Sequence, residues 1–287
     1  MSIWDKLFHR EKGTRESASE REQPASTERR VDPLGLGQGT DIGNMRTANE
    51  DAFLTLKSLV GTEPDTLPVG LLIVADGMGG HVRGKEASSL SIRIASSIVV
   101  EELLLPLLQR GSADVGSRPI QEVLTEASAY ANEAVARLPG DGGTTLTSVL
   151  VMGHSAYVAH VGDTRVYYLH EGELQQITHD HSLVNRLVEL GQIQAEEAQN
   201  HPQRNLLYRA IGQGADLKID VHSQGLAKGS HLLLCSDGLW NHVTEREMIE
   251  AIENASSAQE ACNRLIDRAL NRGGEDNITV VLAEVNY

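Results

Sequence analysis

The sequence predicts a protein of mixed helix and strand built on an antiparallel sheet, and three observations carry that prediction. The stretch "TTLTSVLVMGHSAYVAHVGDTRVYYLHEGELQQIT" holds four strand-like runs at 147–152, 157–161, 165–169 and 173–178, jointed at Gly153-His154, Gly162-Asp163 and Glu171-Gly172. Connections this short cannot hold a crossover helix, so the strands must form an antiparallel meander. Helical texture is segregated to either side of it, at 84–110 and 118–138 before and at 244–253 and 257–272 after. Finally, "LLIVA" at 71–75 and "HLLLC" at 231–235 show no polar alternation, which marks strands buried on both faces.

Taken in order, residues 1–35 read as a disordered tether with a short amphipathic start, and residues 36–287 as one folded domain. Ile3, Trp4, Leu7 and Phe8 would share one face of a single helical turn, which holds a membrane weakly at best. Residues 9–32 carry mixed charge, no aromatic residue and almost nothing to bury. In the second helix, Ile120, Val123, Leu124, Ala127, Ala131, Ala134 and Val135 fall at helical spacing. A short helix follows the meander, capped by Ser182 and stopped at Gly191. The polar segment Gln192–Asn205 reads as a functional flap. After the two later helices, the chain ends on a strand at 278–285.

Composition excludes several functions. The net charge is −15, and residues 1–31 hold seven basic against six acidic side chains, so the acidic excess lies in the domain. Such a body is a poor general nucleic-acid binder and a good host for divalent cations. Cys235 and Cys262 are too few for a disulfide framework or structural zinc, which predicts a reducing, cytoplasmic setting. The richest apolar region, "SSIVVEELLLPLLQR", is broken by Glu101, Glu102 and Pro106, so no stable membrane insertion is expected.

The stretch "LLIVADGMGGH" allows three readings of Asp76. Asp-Gly is a favoured turn pair. Gly79, Gly84 and Lys85 match part of the loop of nucleoside triphosphatases, but Glu86 replaces the required Ser or Thr and the antiparallel meander contradicts that fold. The third reading is a metal ligand. Asp51, Asp76, Asp237 and Asp276 each lie at one end of an apolar strand, and strand ends of one sheet share a rim. Two carboxylates ~5 Å apart at an effective dielectric near 20 repel by ~3 kcal/mol, so four together require cations. All-oxygen ligation points to Mg2+ or Mn2+.

Eight blocks carry a specific resemblance: "DIGNMRTANEDAF", "VADGMGGH", "GGTTLTSVLV", "AHVGDTRVYYL", "THDHSLVNRLVELGQI", "HPQRNLLYRAIG", "LLLCSDGLWNHV" and "GGEDNITVVL". In this order they resemble the bacterial branch of the metal-dependent serine/threonine protein phosphatases of type 2C, over roughly residues 36–285. The resemblance implies an α+β fold, a central β-sandwich of two antiparallel sheets with a helix pair on each outer face. It implies a metal-bridging hydroxide, held by two Mn2+ or Mg2+ ions, that attacks phosphoserine or phosphothreonine directly. Asp51 and Asp76 would lie nearest both metals, Gly77 would offer its carbonyl, and Asp237 and Asp276 would complete the ligands. Arg46 would grip the substrate phosphate and Glu50 hold metal-bound water. Phosphoproteins, with a serine/threonine kinase as counterpart, would be the partners of a monomer. In bacterial relatives the position of Asp163 joins that of Asp237 at a third, weaker ion.

One position departs from the animal members, where a histidine proposed as leaving-group acid follows Asp-Gly. Met78 stands there, and His81 is the nearest substitute. The residues His179, Asp180 and His181 read as a turn and cap before the Ser182 helix, Trp240 as core, and Cys235 as an inert buried thiol. A pseudophosphatase that binds phosphoproteins without turnover is the rival reading.

Overall fold

The computed structural model describes residues 32–62, 65–80, 82–110, 118–198, 201–214 and 217–287. The expectations for the amphipathic start, the tether before Asp32 and His81 lie outside the described residues. Twelve strands and eight α-helices are described. One sheet has the order β1-β12-β11-β8-β9, formed by Leu34–Asp41, Ile278–Val285, His231–Cys235, Arg165–His170 and Glu173–Gln176. The other has the order β10-β7-β6-β3-β2, formed by Asp220–Gly225, Ser155–Val161, Leu146–Met152, Asp65–Ala75 and Ala52–Thr62. A two-stranded ribbon pairs β4, Gly77–Met78, with β5, Gly143–Thr144. Every strand pairing among the described residues is antiparallel, which removes the nucleoside-triphosphatase reading.

The unalternating apolar runs now have a cause. In β3, Leu71, Ile73 and Ala75 pack under the helices α1, Arg83–Val99, and α3, Ile120–Ala136, whereas Leu72 and Val74 face the other sheet. β12 does the same, with Ile278, Val280 and Leu282 toward α7, Glu245–Glu253, and α8, Ala258–Asn271, and Val281, Ala283 and Val285 inward. The result is the expected four-layer αββα sandwich. Each fully buried Leu, Ile or Val side chain contributes about 2 kcal/mol, so both faces of the central strands drive assembly.

Three expectations are corrected. The helix expected over 84–110 is continuous but widens into a π turn at Val100–Leu104 before α2, Leu105–Arg110. Pro106, which has no N–H to donate, stands just past that turn. The folded part begins before residue 36, because Leu34 is buried and pairs with Val285. Strand β1 was not expected at all: its glycines look like loop, yet a Cβ on Gly37 would meet the Ala258 carbonyl at 2.2 Å, so they admit α8 against the sheet.

Candidate functional site

Strand register brings the aspartates to one end of the sandwich. Ala52 pairs with Ala75, which puts Asp51 and Asp76 side by side at the end of one sheet. Cys235 pairs with Val280, so Asp237 and Asp276 fall together at the end of the other. The carboxylates therefore come two from each sheet, not four from a single rim. Asp237 also does not end a strand. Ser236 separates it from β11, and it opens the helical turn α6, Asp237–Trp240. Asp163 arrives on the turn between β7 and β8, which carries the chain from one sheet to the other. The expected four-strand meander is therefore two hairpins, β6-β7 and β8-β9, in different sheets, and Gly162-Asp163 is not a hairpin turn.

A pocket of about 200 Å3 gathers Arg46, Glu50, Asp76, Gly77, Asp163 and Asp237, with Asp276 on its wall. Two glycines make the approach possible. A Cβ on Gly77 would lie 2.2 Å from the Gly84 carbonyl and 2.6 Å from that of Glu50, and one on Gly238 would lie 2.1 Å from the Asn277 carbonyl. Close backbone packing thus demands these glycines independently of any ligand.

Several positioning groups escaped the sequence reading. The Thr145 hydroxyl accepts from the Asp76 N–H at 2.8 Å, while the Thr145 N–H and Thr144 hydroxyl both donate to the Asp76 carbonyl at 2.8 Å. Ser236 donates its hydroxyl to Asp51 Oδ2 at 2.8 Å and accepts from the Thr279 N–H at 2.9 Å, tying one sheet to the carboxylate of the other. The Asn277 amide donates to the carbonyls of Ile42 and Ala48 and accepts from the Glu50 N–H at 2.8 Å, which fixes the loop bearing Arg46. Trp240, expected as core, donates its indole N–H to the Asp163 carbonyl at 3.1 Å and lies 3.7 Å beneath the Arg165 guanidinium.

The cluster is electrostatically unbalanced. Burial first, then Asp51, Asp237, Asp163 and Asp276, raises the Asp76 carboxyl well above its usual range. Burial, then Asp163, Asp276 and Asp51, does the same to Asp237. Burial lifts Asp51 to about 6 against two hydroxyl hydrogen bonds, and burial followed by Asp180 lifts Asp163 to about 7. Asp51 Oδ1 and Asp237 Oδ1 are buried without a hydrogen-bond partner among the described residues. Asp276 is satisfied instead, by Arg46 at 2.5 Å and by the Asn277 N–H at 2.8 Å. Among the described residues no three Asp, Glu, His or Cys side chains form a ready cage. The donors are an open set of oxygens with two orphaned lone pairs, and hard divalent cations fit them.

Residues 46–278 match the model of the family described as Protein phosphatase 2C. The serine/threonine phosphatase stp of Listeria innocua is 39% identical over 247 residues, which is 86% of this chain and 94% of that protein. The crystal structure of the Mycobacterium tuberculosis serine/threonine phosphatase PstP/Ppp superposes with a TM-score of 0.72 at 34% identity, covering 88% of this chain and 99% of that one. A structure of the PstP catalytic domain in complex with two manganese ions gives a TM-score of 0.68 at 34% identity, covering 88% of this chain and all of the other. The chain belongs to the protein phosphatase 2C family.

Proposed function

We propose that this chain is a Mn2+- or Mg2+-dependent phosphatase of phosphoserine and phosphothreonine in proteins. The observation that supports it most is an aspartate cluster in which Asp51 and Asp237 each carry a buried oxygen with no hydrogen-bond partner among the described residues, at a pocket rimmed by Arg46. Asp51, Asp76, Asp237 and Asp276, with the Gly77 carbonyl, would hold the cations, and Asp163 with Asp237 a third. Such cations lower the pKa of water and clamp a phosphate oxygen.

The chain's own groups do the rest. Arg46 is half exposed and rests on Asp276 in this structure. Its planar fork suits a phosphate dianion, so substrate competes with Asp276 for it. Glu50 is buried and held through its N–H by Asn277, which aims its carboxylate from a fixed backbone. Met78 has no proton to give a leaving alkoxide, and the Thr144 and Thr145 hydroxyls beside Asp76 are already engaged, Thr144 with the Asp76 carbonyl and Thr145 with Thr164. A cleft of about 960 Å3 shares Asn205, Asp237 and Asp276 with the pocket, room for a polypeptide flanking the phosphoresidue rather than for a small phosphate ester alone.

Both cysteines are free and buried, and burial pushes the Cys235 thiol up, which suits an inert residue in a reducing cytoplasm. No described helix is long and apolar enough to cross a membrane. We place a serine/threonine kinase as the counterpart that makes the substrate, and a monomer as the working form. Hydrolysis of a phosphothreonine peptide with and without Mn2+ tests the reading. Hydrolysis with Mn2+ that stops in excess EDTA supports it. Undiminished hydrolysis in EDTA would overturn the cation dependence, and binding without hydrolysis would favour the pseudophosphatase.

A further inference from the structure

His181, expected in a turn and cap, has a different place. The cap is supplied by Ser182, whose hydroxyl accepts from the Asn185 N–H at 3.3 Å at the start of α4, Leu183–Glu189. His181 is buried and grips the backbone of Gly162 from both sides. Its N–H donates to the Gly162 carbonyl at 2.7 Å, and its Nδ1 accepts from the Gly162 N–H at 3.0 Å. Gly162 has φ +114, a conformation open to glycine, and a Cβ there would meet Thr145 at 2.5 Å. The next residue is Asp163, which lines the same pocket as Asp237.

The far side of the ring is also specified. Nε2 lies 3.1 Å from Asp220 Oδ2 and 3.1 Å from Arg209 Nη1, and Arg209 reaches Asp220 Oδ1 at 3.0 Å. Because Nδ1 must be bare to accept from Gly162, the proton resides on Nε2 and is donated to Asp220. The His181 carbonyl accepts from the Tyr208 N–H at 2.9 Å, and the Leu183 N–H donates to the Leu206 carbonyl at 2.7 Å. The chain just after the segment expected as a flap is thereby tied to the same latch.

We propose that His181 is a positioning residue: its two hydrogen bonds to Gly162 set the Asp163 carboxylate against Asp237, and Asp220 with Arg209 holds the tautomer this requires. The inference rests on the reading that the cluster takes divalent cations. An outer partner of this kind is worth about 10–100-fold in metal affinity or activity.

The test uses the two amide mimics of histidine in the full chain. His181→Asn keeps an oxygen where Nδ1 accepts, and His181→Gln keeps a donor toward Asp220 but loses the acceptor for the Gly162 N–H, while the backbone bond from residue 181 to the Gly162 carbonyl stays in both. Mn2+ titration by calorimetry is paired with hydrogen exchange at the Gly162 amide and phosphothreonine-peptide kinetics. His181→Asn should stay within about threefold of the parent, whereas His181→Gln should weaken the last Mn2+ to bind by about tenfold or more, speed Gly162 exchange and lower kcat. Asp220→Asn, which frees the tautomer, should fall between them and covers the case in which His181→Gln does not fold. Equal effects of the two amides, or an unchanged Gly162 exchange rate in both His181→Gln and Asp220→Asn, would overturn the latch. If the parent itself binds no Mn2+, the functional reading fails, and Gly162 exchange still decides the latch.

Discussion

Asp180 and the cluster of Asp51, Asp76 and Asp237 occupy the same end of the sandwich, and the chain treats the two oppositely. Asp180 accepts from Arg165 Nε at 3.0 and 3.1 Å and from Nη2 at 2.7 Å, takes a further bond from Gln176, and has its arginine stacked on Trp240. Asp51, Asp76 and Asp237 receive no such cation, and two of their oxygens have no hydrogen-bond partner among the described residues. Arg46, on the rim, rests on Asp276. Where the fold needs a permanently buried carboxylate it supplies a bidentate arginine. Where it withholds one, the missing charge is to come from outside.

Substitutions at the two groups should therefore differ in kind. Asp180→Asn leaves Arg165 uncompensated in a mostly buried pair and should cost about 3 kcal/mol. For a domain of this size that lowers Tm by roughly 6–12 °C, measured by calorimetry, with residual hydrolysis at permissive temperature. Asp76→Asn should do the reverse, keeping the fold by circular dichroism and losing at least about 100-fold in kcat/KM, beyond what an outer partner is worth. A fully active Asp76→Asn protein would dissolve the distinction. Smaller still is the effect of Arg46→Ala. If Arg46 binds ground-state and transition-state phosphate alike, KM should rise about tenfold while kcat changes less, and an unchanged kcat/KM would remove Arg46 from the site.

How far the sequence reveals this depends on where each signal lives. Strands β3, β11 and β12 were legible because burial on both faces forces continuous apolar runs, and α3 and α8 because burial on one face leaves a helical period. Strand β10 was not, since "DVHSQG" at a sheet edge alternates between half-buried and exposed residues and buries little. The aspartates were legible as carboxylates against apolar runs. Their pairing across two sheets, and the helical turn after Ser236, were not, because register and tertiary contact set them. The props Thr144, Thr145, Ser236, Asn277 and His181 act through backbone groups of distant residues, such as Thr145 on Asp76, and such contacts leave no local pattern.

The central claim, that the aspartate cluster is built for cations the chain does not supply, is tested most directly by thermal unfolding of the parent and Asp237→Asn with and without Mn2+. Asp237 has a folded pKa raised above its unfolded value. Between those two values the folded state keeps a proton the unfolded state has lost, so the parent loses stability as pH rises through that interval. Asparagine cannot ionise and escapes the loss. Comparing variant with parent also cancels the opposite trend from His160, whose pKa burial lowers to about 3. In EDTA the variant should match the parent only below the usual carboxyl value of 3.8 and melt several degrees higher at pH 7.5, where about 1 kcal/mol is worth roughly 2–4 °C. Saturating Mn2+ at pH 7.5 should reverse the order by stabilising the parent far more. A variant that is less stable than the parent in EDTA at pH 7.5, with no difference in the Mn2+ response, would contradict the account.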